Sequence, residues 1–263
     1  MKIVVFDLDE TLGYFTEFGI FWDSLSNYLK SKGSSKLEQS DFNDILDLYP
    51  EFLRPNIINI LTYLKERKKS NCCHKMMIYT NNNGPREWAH HIIEYFEKKI
   101  NYKLVDQVIA AFKINGKRVE ICRTTHNKTH KDFIKCTKIP SSAEICFLDD
   151  TYYPEMANEN IYYINVKPYY HDLQFNYMLK KFSESQIGKK IIDNELEFEE
   201  KMLENIKLYK YECIDKDEKE YDVDKVLGKH IISHLQEFFN KSKKNKTIKN
   251  RGNKRNKTSK NNK

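Results

Sequence analysis

Short apolar runs recur along this chain, and several end abruptly on a polar or acidic residue. Lys2–Phe6 stops at Asp7, Met76–Tyr79 runs into Thr80 and Asn81, and Ile145–Leu148 runs into Asp149 and Asp150. Runs of this length rich in Val, Ile, Met and Phe predict strands buried on both faces, at 2–7, 75–80 and 145–149, with further strands at 105–112 and 161–166. A small hairpin extension is expected around 117–122. Between the strands the apolar spacing changes to three and four. GIFWDSLSNYLK and DFNDILDLYPEF read as helices separated by the loop SKGSSK. Pro55 suits the first turn of a helix reaching about Lys68. Pro85 opens another, with Trp88, Ile92, Tyr95, Phe96 and Ile100 as its apolar stripe. Alternating strands and helices predict an α/β, Rossmann-like fold: a parallel sheet of about five strands with helices on both faces.

Residues 1–183 are expected to form this domain, with 13–53 as a helical insertion, or a cap that is small or absent. Residues 184–240 add a helical extension, two amphipathic segments flanking an acidic loop at 212–220, expected to pack on the core rather than recruit a partner. The overall charge of +7 is unevenly spread. Residues 241–263 hold 11 Lys or Arg and no acid, and removing them leaves residues 1–240 at −4. That basic tail, with Ile248 as its only large aliphatic residue, is expected to be disordered. It would attract nucleic acid or another acidic partner only weakly, having no aromatic residue for bases to stack on.

No apolar run approaches the roughly 18 residues that a membrane span needs, and the N-terminal run is too short for a signal peptide. The six cysteines form no C-x-x-C pair, which predicts a reduced, intracellular chain, cytoplasmic or nuclear rather than secreted. Cys72-Cys73-His74 and the His230/His234 pair lack zinc-site spacing or a third ligand.

The chemistry concentrates at strand tips, where open α/β sheets bind ligands. Asp7 and Asp9 stand two apart just beyond the first strand, so both can approach one centre, and oxygen-rich sites suit Mg²⁺. The string Asp7-Leu8-Asp9-Glu10-Thr11 resembles the first motif of the haloacid dehalogenase superfamily. Thr80-Asn81 resembles its second, a Lys in THKDFIKC its third, and Asp149-Asp150 its fourth. Together with Arg54-Pro55 and the LDD string, these look most like the phosphatases of the RNA polymerase II C-terminal domain. The NNNG run at 81–84 and the late Pro154 depart from that group's pattern.

The resemblance implies a hydrolase of phosphate monoesters that works through an aspartyl-phosphate. Asp7 would be the nucleophile and Asp9 the general acid and base. Lys131 would be the charge-neutralising lysine, with Lys128 and Lys135 as rivals. Thr80, Asn81 and Thr11 would bind the phosphate, although Thr11 reads equally as a residue ordering the first loop. Asp7, Asp9, Asp149 and Asp150 would hold the Mg²⁺, Asp9 through its backbone carbonyl. The implied substrate is a phosphorylated protein serine or threonine. The alternatives are a nucleotide or nucleic-acid end, or a non-enzymatic scaffold. Tyr14, Phe15, Phe18 and Trp22 in the insertion read as core before substrate contacts.

Overall fold

The computed structural model describes residues 1–34, 36–214 and 216–241, apart from the side chain of Arg86; the basic segment 242–263 lies outside the described residues. Five strands form one parallel sheet: β1 (Lys2–Phe6), β2 (Lys75–Tyr79), β3 (Gln107–Ile109), β6 (Glu144–Asp149) and β7 (Ile161–Asn165). Their order is β3-β2-β1-β6-β7. The chain therefore runs outward from β1 through β2 to β3, then returns to the other side of β1. That reversal opens a crevice at the carboxyl ends of β1 and β6. β4 (Lys113–Ile114) and β5 (Lys117–Arg118) form a separate antiparallel hairpin, slightly earlier than the expected 117–122. The third strand is shorter than its apolar run. The Asp106 carboxylate accepts the Met76 backbone N–H at 2.8 Å, and parallel pairing starts only at Gln107.

Both faces of the sheet are covered, which explains why β1 and β6 are apolar without alternation. Val4, Phe6, Met76, Ile78, Cys146 and Leu148 face the larger core, built with α1 (Thr16–Ser31), α2 (Gln39–Leu46), α3 (Ile57–Lys69) and α4 (Arg86–Ile100). Ile3, Val5, Met77, Tyr79, Ile145 and Phe147 face the smaller core, where Phe133 of α5 (His130–Thr137) is buried. The 13–53 insertion builds α1 and α2 and adds no separate cap domain.

The C-terminal extension packs on the core, as expected. α6 (Phe175–Glu184) and α7 (Gln186–Ile191) lead into α8 (Glu195–Lys207), whose Phe198 lies 5.2 Å from the Tyr28 ring of α1. α9 (Glu218–Asn240) lies against α3 and β7. A Cβ at Gly228 would fall 2.2 Å from the Pro55 carbonyl oxygen, so only glycine allows this approach. Lys2, at the start of β1, caps the far end of α9 by donating to the carbonyls of Phe238, Phe239 and Lys241. No described helix is long and apolar enough to cross a membrane. The expected fully reduced state is corrected: Cys122 and Cys136 are joined by a disulfide. They are 14 residues apart, and the bond ties the loop before α5 to that helix.

Glu17 in α1 is buried, with its Oε2 accepting the Leu173 N–H at 2.7 Å. Burial pushes its carboxyl up to about 8, and the Leu173 hydrogen bond offsets this only in part. The folded state thus favours the protonated acid. Stability present below the unfolded pKa is lost as pH rises through the folded one. Urea denaturation is expected to show stability falling between about pH 5 and pH 8. Glu17→Gln should flatten that slope and exceed wild type at pH 8.5 by on the order of 2 kcal/mol. An unchanged slope in the variant would refute the assignment.

Candidate active site

Asp7 leaves β1 at the crevice, its backbone N–H donating to the Leu148 carbonyl at 2.9 Å. The loop after it turns sharply. Glu10 takes a left-handed conformation with φ 58°, and its N–H donates to the Gly13 carbonyl at 2.8 Å. A Cβ at Gly13 would meet the Phe52 carbonyl oxygen at 2.5 Å, so the turn requires glycine. Arg54 stands behind this loop, buried. Its guanidinium donates to the carbonyls of Thr11 (2.6 Å), Glu10 (2.5 Å) and Lys167 (2.8 Å).

Three carboxylates gather at the crevice: oxygens of Asp7, Asp149 and Asp150 lie within 4.8 Å of one another. Lys128 places its ammonium between two of them, 2.6 Å from Asp7 Oδ1 and 2.6 Å from Asp149 Oδ2. Its side chain is 1% exposed. Burial opposes its charge, but Asp7 and Asp149 outweigh burial and hold the ammonium above its ordinary pKa. Three carboxylates against one ammonium leave a formal −2 at a hard-oxygen cluster. Such donors fit a divalent cation of the Mg²⁺ type.

The Asp9 side chain is not part of that cluster, consistent with a role for its backbone carbonyl rather than its carboxylate. Its Oδ2 accepts from Asn82 Nδ2 at 2.7 Å, so the carboxyl turns toward the loop after β2. Burial, reinforced by the neighbouring Asp7, pushes it up to about 7. Burial also raises Asp149 to about 7, and raises Asp150.

The lysine expected from the sequence is corrected. Lys131 and Lys135 are exposed on α5, whereas Lys128 occupies the site. Thr129 caps α5, its side chain accepting the Asp132 N–H at 3.0 Å. Lys128 therefore precedes the helix on extended chain and reaches under the strand tips. Lys131 falls in the first turn, on the face opposite the buried Asp132 and Phe133.

Thr80 lines the cleft beside Asp7, and its Oγ1 accepts the Asn82 N–H at 3.0 Å, leaving its own O–H free to donate. Asn81 lines it too, its amide held between Arg123 (2.8 Å) and Tyr153 (3.0 Å). Thr11, expected either to bind phosphate or to order the first loop, is engaged within the protein. Its hydroxyl is buried and donates to Asp150 Oδ1 at 3.0 Å while accepting the Asp150 N–H at 3.2 Å. It ties the first loop to the fourth, the loop-ordering alternative.

Three contributors were missed by sequence reasoning. Asn82 orients Asp9, and only its place in the polar run after the second motif hinted at it. Arg123 is fully buried and donates to the carbonyls of Thr80 (3.0 Å), Ala110 (2.9 Å) and His126 (2.8 Å) as well as to Asn81. Asp132 accepts from the Thr124 N–H at 2.7 Å and, with the nearby disulfide, holds the segment carrying Arg123 and Lys128. A lone arginine in a polar loop has no sequence signature. Of the insertion aromatics, Phe15 and Trp22 line the cleft while Tyr14 and Phe18 are confined to the core.

Comparison with known proteins finds no matching family model, no matching curated protein and no matching solved structure.

Removing Lys128 leaves two buried carboxylates without their counter-charge. Lys128→Met is expected to destabilise the metal-free protein by about 3 kcal/mol, and Lys131→Met by less than about 0.5 kcal/mol. Chemical denaturation of both variants tests this, and equal effects would discard the assignment of Lys128.

Proposed function

We propose that this chain is a Mg²⁺-dependent phosphomonoester hydrolase acting through an aspartyl-phosphate on Asp7, in keeping with its resemblance to the haloacid dehalogenase superfamily. The observation that carries the reading is the division of labour between two carboxyls of one loop. Asp7 is paired with a buried ammonium at 2.6 Å, while Asp9, two residues on, is hydrogen-bonded by Asn82 and pushed up to about 7. One is poised to attack and the other to carry a proton near neutral pH.

In this mechanism an Asp7 oxygen attacks phosphorus and the bond from phosphorus to the ester oxygen breaks. Asp9 gives its proton to the departing oxygen, which leaves as the alcohol. Asp9, now a carboxylate, takes a proton from water as that water attacks the phosphorus of the acyl phosphate. Inorganic phosphate leaves and Asp7 is regenerated. Lys128 offsets negative charge on the phosphoryl oxygens from its place beside Asp7. The free O–H of Thr80 donates to one of them. Arg54 and Arg123 hold the backbone of the two loops, so their groups need little rearrangement during reaction. Asp7, Asp149 and Asp150 would hold Mg²⁺, which when bound supplies positive charge that lets an anionic ester approach an anionic nucleophile.

Hydrolysis of p-nitrophenyl phosphate tests this. Turnover should require Mg²⁺ and disappear with a chelator. Asp7→Asn should lower it by about a thousandfold or more, and Asp9→Asn by about 10²–10⁴ for esters with poor leaving groups. Acid quenching should trap a phosphorylated protein in wild type and none in Asp7→Asn. Full activity in Asp7→Asn would end this reading.

A further inference from the structure

The cleft at Asp7 continues well past the phosphate loops. Its volume is about 760 Å³, within the usual size of small-molecule sites. Near the sheet it is lined by Asp7, Asp9, Thr80 and Lys128. Between α1 and α4 the lining becomes Phe15, Ile20, Trp22, Leu37, Trp88 and His91. These apolar walls are fixed from behind. Phe42 packs against Trp22 and Trp88 with ring centroids at 5.2 and 5.4 Å, and Phe18 against Trp88 at 5.9 Å. His91 stacks on Phe42 at 5.1 Å. Gln39 locks it in place, its Nε2 donating to the His91 carbonyl at 3.0 Å and its Oε1 meeting His91 Nδ1 at 2.5 Å. Gly19 on α1 faces the indole of Trp88. A Cβ there would already sit 3.4 Å from the ring, so a larger side chain would occupy the space over it.

Charge narrows the choice of occupant. Among the described residues the cations lining the cleft are Lys36 and Lys128, and Lys128 is engaged by Asp7 and Asp149. Glu10, Asp23 and Glu87 line it as well. Among the described side chains, a polynucleotide strand or a second phosphate would meet these carboxylates with Lys36 alone in compensation. A flat, uncharged ring meets rigid aromatic walls instead.

We propose that the site takes a small phosphomonoester bearing a planar aromatic ring on the alcohol side, of the nucleoside 5′-monophosphate kind, with the ring seated against Trp22 and Trp88. This rests on the phosphomonoesterase reading and replaces the phosphoprotein substrate implied by the resemblance.

Adenosine 5′-monophosphate and ribose 5-phosphate share a leaving oxygen and differ by the ring, so the ratio of their kcat/KM values isolates the ring. With full-length protein and Mg²⁺ the ratio should be about tenfold or more, and Gly19→Leu, checked for native circular dichroism, should reduce it to near unity. Equal turnover of the two esters by wild type overturns the assignment while leaving the phosphomonoesterase reading intact. So does a ratio that survives in Gly19→Leu, or a phosphoseryl peptide turned over faster than either ester. Failure to hydrolyse any of these substrates overturns both. A second measurement is independent of that variant's folding. The chain has two tryptophans, Trp22 and Trp88, and both line the cleft. In Asp7→Asn with Mg²⁺, adenosine 5′-monophosphate should quench intrinsic fluorescence saturably and ribose 5-phosphate should not. The same response to both, or to neither, rejects the proposal.

Discussion

A single buried ammonium holds the working end of this molecule together. Lys128 lies 2.6 Å from carboxylates at the tips of two adjacent parallel strands. Asp7 and Asp149 would repel each other at that separation, and desolvation would penalise both charges. The ammonium makes their proximity tolerable. It can do so only because β6 returns to lie beside β1, after β2 and β3 have been laid down on the other side. The strand order and the lysine therefore depend on one another. Without the crossover there is no paired acidic tip, and without the lysine that tip is unstable in the absence of a bound cation.

Around this pair the fold uses two buried guanidiniums as backbone clamps. Arg54 gathers carbonyls from the first loop and from Lys167, while Arg123 gathers those beside β2 and β3 and the amide of Asn81. Loops at strand tips carry backbone carbonyls that regular structure leaves unpaired, and burying them unpaired would be costly. Arginine satisfies several at once with fixed geometry. The C-terminal extension adds to the rigidity from outside: α9 closes onto the start of α3 through Gly228, which meets Pro55 and Asn56, the two residues after Arg54. The helical insertion does something different. Instead of closing over the site as a lid, α1 stands beside α4 and extends the cleft with aromatic walls.

Much of this was legible in the chain itself. Apolar runs too short for helices, unbroken by alternation and ended by Asp7, Thr80 and Asp149, specify parallel strands buried on both faces, because only such strands have no wet side. The helical spacing between them specifies crossovers, and crossovers specify a parallel sheet. Bringing Asp7, Thr80 and Asp149 into one crevice needs the strand order as well, which only the resemblance implied and which the sheet now shows. The choice among Lys128, Lys131 and Lys135 was not legible, since residue type is identical and the answer depends on where a helix begins. Thr129 starts it one residue after Lys128, and that leaves Lys131 on the solvent side. Thr11, Asn82 and Arg123 act through partners tens of residues distant, and the Cys122–Cys136 pair joins a loop to α5 across 14 residues with no spacing motif to mark it. Periodicity records which side of an element is buried, and so determined the sheet and its acidic tips; it carries no record of which polar groups meet across elements, and that pairing was decided by tertiary packing alone.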